Sequence, residues 1–154
     1  MKRVHVIDEI TSGIGAGLLA GVLGTAAMTL ASTLEMKVRH RPASKTPAQA
    51  AEKTLDLKPA SDEAEARLSN LVHWTYGTLW GLARSAISAT GLRGPLAPVA
   101  HLAVVWGASL VMLPALKLAE PITRWSGGAI GADLLHHAVY AGAADATFRL
   151  VGPR

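Results

Sequence analysis

GADLLHHAVYAGAADATF, residues 131–148, is the stretch on which the reading of this chain turns. Its Ala, Gly, Leu and Val make it apolar enough for lipid, yet it carries Asp133, His136, His137, Tyr140 and Asp145. At about 100° per residue on a helix, Asp133, His136, His137, Tyr140, Ala144 and Thr147 fall in one stripe roughly 100° wide, and Asp145 lies off it. Ionisable side chains turned toward acyl chains cost several kcal/mol each, so such a stripe is expected to face other helices.

The same reading extends along the chain. Ser12–Leu34 has no charge at all and is long enough to cross a hydrocarbon core about 30 Å thick. Leu68–Gly91 and Leu96–Ala119 are nearly bare, each with one basic residue, Arg84 and Lys117. Charge is segregated instead into residues 35–67, which hold seven of the fifteen Lys and Arg and six of the eleven Asp and Glu. A soluble domain spreads charge over the outer face of every element. The chain is therefore expected to be all-α: an integral membrane four-helix bundle forming one domain over 1–154. Its spans fall at about 12–34, 66–90, 97–119 and 128–150, with a polar loop at 35–65. Asp8 and Glu9 before the first block argue against a cleaved signal peptide, so that block is read as a retained span.

Local signals refine the boundaries. Ser61 with Asp62, Glu63 and Glu65 predicts a helix start near Asp62, where the helix dipole favours negative charge. Thr46, Pro47 and Gln49 form a capping-box pattern, which predicts a short surface-lying helix over 47–55. Gly91, Gly94 and Pro95 mark a tight turn, and Ser126–Gly128 another. Pro114 is expected to kink the third block or loosen its last turn. Trp125 suits the headgroup level. Nine Lys and Arg flank the loop side and five the other, which places the loop in the cytoplasm and both termini outside.

Gly13, Gly17 and Gly21 recur every four residues, and Gly24 continues the face. In lipid, small residues at this spacing let a second backbone approach. The partner is expected to be another copy of the chain or a partner membrane protein.

Ser69, His73, Tyr76, Gly77, Trp80 and Arg84 make a second polar stripe, and His101 is the polar residue of the third block. Arg84 lies in the last third of its span and is expected to reach the headgroups, with Asp133 or Asp145 as the other available partners. The candidate interior site is thus His73, Tyr76, Arg84, His101, Asp133, His136, His137 and Tyr140. Interhelical hydrogen bonding is the plain role for these groups. His73, His101 and His137 are the candidate ligands should a metal or haem bind, with Asp133 one turn from His137 to orient it. No HExxH or CxxC motif occurs, and a bound cofactor is not expected. The histidines also suit a proton path.

Other classes are excluded or weak. The chain has no cysteine, so disulfides and thiolate chemistry are absent. The net charge of +4 comes from a loop in which acids and bases alternate without stacking aromatics, so nucleic acid is not an expected partner. GIGAGLLAG at 13–21 has no preceding strand to make it a dinucleotide loop. GASLV at 107–111 is no nucleophile elbow, and enzymatic activity is not expected.

GLLAGVLGTAAMT, RPASKTP and HWTYGTLWG, followed by a His-bearing last span, resemble small bacterial inner-membrane proteins of the YagU-like group. The matching positions are Gly21, Gly24, Thr25, Met28, Thr29, His73, Tyr76 and Gly77. The resemblance implies residence in a bacterial inner membrane and points weakly toward proton-related roles. Two function classes follow. One is a membrane scaffold or partner-binding subunit with the 35–67 loop as its handle. The other is a small channel, transporter subunit or proton-, metal- or haem-handling protein. Convergence of the His, Tyr and Asp side chains on a cavity favours the second, and scatter into separate pairs favours the first.

Overall fold

The computed structural model describes the backbone of residues 2–153 and the side chains of residues 11–153. The described residues are all-helical: α1 (Lys2–Arg39), α2 (Thr46–Leu55), α3 (Asp62–Ala89), α4 (Leu96–Ala115) and α5 (Gly127–Val151), with a single 3₁₀ turn at Ile122–Arg124. The four long helices pack side by side. α1 and α4 stand at opposite corners, each against α3 and α5, and α2 lies across the end where α3 begins.

Helix ends follow local chemistry. Ser61 and Ser126 are N-caps whose hydroxyls accept from the Ala64 and Ala129 amides, both at 3.2 Å. α1 stops at Arg39 because His40 turns left-handed (φ 51°) and the Arg41 amide reaches back to the Met36 carbonyl. α4 ends the same way, with Lys117 left-handed and the Leu118 amide on the Leu113 carbonyl. The third block is therefore shorter than expected: Pro114 removes one ladder donor and the helix closes at Ala115, not Ala119. α2 also differs in detail. Thr46 is not its cap; Lys45 holds that position without a side-chain bond, and Ser44 Oγ accepts from the Thr46 amide at 3.2 Å. Gly91 and Gly94, at φ 82° and 65°, supply the left-handed backbone of the α3–α4 turn.

α1 and α3 meet backbone to backbone. A Cβ on Gly21 would overlap the Thr78 carbonyl, one on Gly81 would overlap the Gly17 carbonyl, and one on Gly77 would overlap Thr25 Oγ1. Gly17 and Gly21 of the spacing-of-four face on α1 thus pack on the Gly77–Gly81 stretch of α3 in the same chain. Gly24 packs on the Tyr140 ring of α5, where a Cβ would come to 2.9 Å. A Cβ on Gly13 would meet only Pro153, at 3.9 Å, although the Gly13 carbonyl accepts from Ser85 Oγ of α3 at 2.6 Å.

The enclosed apolar core is small: Ala16, Ala20, Val105, Tyr140, Ala144 and Phe148, with Met28 and Trp80 against it. Large apolar side chains lie outside, among them Leu23, Leu30, Leu79, Val104, Val111, Leu135 and Leu150. Between Arg67 and Arg93, and between Arg124 and Arg149, no charged side chain is exposed: Arg84 and Asp145 are buried and Asp133 is half-buried. Two helices, α1 from Thr11 and α4, are long and apolar enough to cross a membrane, and most of each apolar window is unburied within the chain. α3 and α5 do not pass that test, in contrast to the expectation of four bare spans, because their inward faces carry the polar residues.

The polar segment straps one end. Lys45 Nζ contacts Asp62 at 3.1 Å and also Glu65, whose hydrogen bond holds the ammonium pKa above the ordinary lysine value. Lys53 Nζ donates to the Leu116 carbonyl at 2.6 Å, placing a cation at the C-terminus of α4. Ser69 donates to the Ser44 carbonyl at 3.1 Å.

Candidate functional site

Beneath α2 the four long helices separate enough to leave a cavity of about 710 Å³. Its walls are mostly apolar: Met28 of α1, Val72 and Trp80 of α3, and Val105, Met112 and Leu113 of α4. Polar groups reach it from α3 (His73, Tyr76) and α5 (Asp133, His136, His137, Tyr140). At the mouth, Glu35 holds both Arg39 (3.2 Å) and Arg41 (2.6 Å).

The hydrogen-bond network assigns the tautomers of two histidines. Thr29 Oγ1 has one proton and gives it to the Thr25 carbonyl at 2.7 Å. Its 3.0 Å contact with His73 Nε2 is then donated by the imidazole. His73 carries its proton on Nε2, and Nδ1 is a bare acceptor in the neutral ring. His137 Nδ1 lies 2.8 Å from the Asp133 carbonyl, which can only accept, so Nδ1 bears the proton and Nε2 is bare. Asp133 Oδ2 accepts from Trp106 Nε1 at 2.7 Å and stands 3.7 Å from His137 Nδ1.

Tyr140 donates to the Gly77 carbonyl at 2.6 Å, and Tyr76 makes only a long 3.7 Å contact with Met112 Sδ. Tyr76, expected to face the bundle interior, lines the cavity. It is 39 % exposed, with its ring edge-on to Trp80 at 5.8 Å.

Two predicted residues lie outside the cavity. His101 is fully buried, donates Nε2 to the Trp80 carbonyl at 3.1 Å and packs beside Tyr140. Its place in a metal trio with His73 and His137 is not supported: among the described residues no three His, Asp or Glu side chains gather at metal-binding distance. Arg84 does not reach for headgroups. It is 4 % exposed, and its Nε and Nη2 each lie 2.9 Å from Asp145 Oδ1. Arg149 takes Oδ2 at 2.7 Å, and the Phe148 ring lies 4.6 Å from the Arg84 guanidinium. Asp145, set aside by the wheel, is thus the buried counter-ion. The wheel drew too narrow an arc: α5 is covered by both α1 and α4, so its buried surface also takes in Ala141, Asp145 and Phe148. Gly81 was likewise missed, although Gly77-x-x-x-Gly81 repeats the spacing used on α1.

The arrangement provides an apolar chamber with an acceptor-rich polar end. Comparison with protein-family models, curated proteins and solved structures found no match.

Proposed function

We propose that this chain is a polytopic membrane protein, of bacterial inner-membrane type, whose working part is the chamber rather than a docking surface. The observation that carries the membrane reading is the inside-out distribution of side chains: leucines and valines outside, with Arg84, Asp145, His101 and Thr25 within. Water would reward the opposite arrangement, and lipid requires this one. α1 and α4 are the apolar corners. α3 and α5 lie between them and expose no charge over the same depth, which supports four spans.

The choice of class rests on convergence. Six polar residues from two helices line one cavity, and although His73, Asp133 and Tyr140 each also bond a neighbouring helix, this shared lining favours a ligand- or solute-handling role over a scaffold. The glycine face that a scaffold might have offered is occupied within the chain. The test is fractionation of expressing cells. The chain is expected to stay in the pellet through alkaline carbonate and to be released by detergent. Release by carbonate alone would refute the membrane reading.

A further inference from the structure

At the polar end of the chamber His73, His137 and Asp133 offer acceptors, beside the Tyr76 hydroxyl and the His136 ring. His73 Nδ1 and His137 Nε2 are acceptors by the tautomers derived above, and neither is hydrogen-bonded among the described residues. Neither is sealed in protein: the enclosed polar atoms that lack partners are His136 Nε2, His101 Nδ1, Trp80 Nε1, Arg84 Nη1 and Glu52 Oε1. The Asp133 carboxylate adds further acceptor lone pairs and, when ionised, a negative charge. At the mouth Arg39 and Arg41 share the one Glu35 carboxylate, which leaves a net positive charge at the rim of the chamber. At His73, His137 and Asp133 an anionic head would meet lone pairs and a carboxylate. A head bearing O–H or N–H would meet acceptors that the chain itself leaves open.

The remaining wall is apolar, and about 710 Å³ accommodates a small molecule of lipid-tail or drug size. We propose, resting on the membrane-chamber reading above, that the chamber binds an amphipathic small molecule with an apolar body. Its head donates hydrogen bonds to His73, His137 and Asp133. A hydroxyl and an ammonium share this chemistry, and the carboxylate at Asp133 is the group that tells them apart.

The test uses the full chain in lipid nanodiscs, with empty nanodiscs as the reference. Radiolabelled dodecanol, dodecylamine, dodecanoate and dodecane share one tail and differ in the head. Saturable binding in excess of empty discs is expected for the alcohol, the amine or both, at least tenfold tighter than for the carboxylate or the alkane. A tenfold difference corresponds to about 1.4 kcal/mol, within the range for leaving a buried polar group unpaired. His137→Leu and His73→Leu are each expected to reduce that excess about tenfold. Asp133→Asn is expected to weaken the amine selectively if ammonium is the head, and to leave the alcohol preference in place if hydroxyl is.

Dodecanoate binding as tightly as the donors would overturn the proposal, as would the absence of saturable binding by any probe. Should a histidine variant fail to enter discs, Ala132→Leu narrows the chamber from a different wall position. Undiminished donor binding in that variant also overturns the proposal. A chain that enters nanodiscs but ignores the head refutes this inference alone. A chain that never enters a bilayer refutes the reading beneath it.

Discussion

The two ends of the bundle handle polar groups in opposite ways. Toward the α3–α4 turn, Gly17 and Gly81 bring α1 and α3 into backbone contact, and the buried charges are paired: Asp145 has Arg84 on one oxygen and Arg149 on the other. Toward α2 the helices part, and the imidazoles of His73 and His137 each spend one nitrogen and keep one open. A closed end with its counter-ions in place sets the geometry of the bundle. An open end with unspent acceptors has chemistry left for a ligand. The difference teaches that an ionisable residue in an apolar helix is not by itself a site. Whether its partners are already supplied by the chain decides that.

The sharpest way to break this contrast is at the glycine seam. Gly21→Leu places a side chain into the Thr78 carbonyl and should cost about 3 kcal/mol or more, read as loss of the folded state in a thermal melt in detergent. Gly15→Leu, where nothing lies within 4 Å, should leave the melt unchanged. The buried pair comes next. Arg84→Met leaves Asp145 without its interior partner and should cost about 3 to 5 kcal/mol, whereas Arg84→Met combined with Asp145→Leu should recover most of that.

The chamber should respond weakly to the same assay. His137→Leu and His73→Leu each remove one interhelical or intrahelical bond and should change stability by only about 1 kcal/mol. A large loss there would mean that these histidines are structural like Arg84, and the contrast between the two ends would fail.

The smallest effect lies in the strap. Lys45 is solvent-exposed and its pKa is raised by Glu65 and then Asp62. A raised lysine contributes fully below its unfolded value and is lost as pH rises through the folded one. The clamp should therefore hold through neutral pH and let go only above the ordinary lysine range. Lys45→Ala should increase proteolytic nicking of residues 40–60 at neutral pH, and high salt should narrow the difference from the parent chain.

Much of this fold could be read before any coordinates. Asp62 after Ser61, the helix expected over 47–55, the breakers at Gly91 and Gly94, and the α1 glycine spacing are local signals, and the helices begin and end close to the first three. Which surface each helix turns inward was harder to read. A wheel assigns one stripe per helix, but α5 packs against two neighbours, so Asp145 and Phe148 are buried alongside His136 and Tyr140. Arg84 was misjudged for the same reason: its depth suggested headgroups, and only the placement of Asp145 across the bundle gives it a closer partner. The cavity was not legible at all. It depends on how far α1, α3, α4 and α5 diverge under α2, a balance of side-chain sizes summed over four helices that no single stretch encodes.

The central claim is that lipid surrounds the outer leucines and valines while the chamber opens to water at the α2 end. Since the chain has no cysteine, single cysteines report each surface directly. In native membranes, a water-soluble, lipid-insoluble maleimide given access to the α2 side should label Ala132→Cys or Ser109→Cys, which line the chamber, and should not label Leu79→Cys or Leu135→Cys on the outer face. Rapid labelling at Leu79→Cys and Leu135→Cys, with protection at Ala132→Cys, would contradict it.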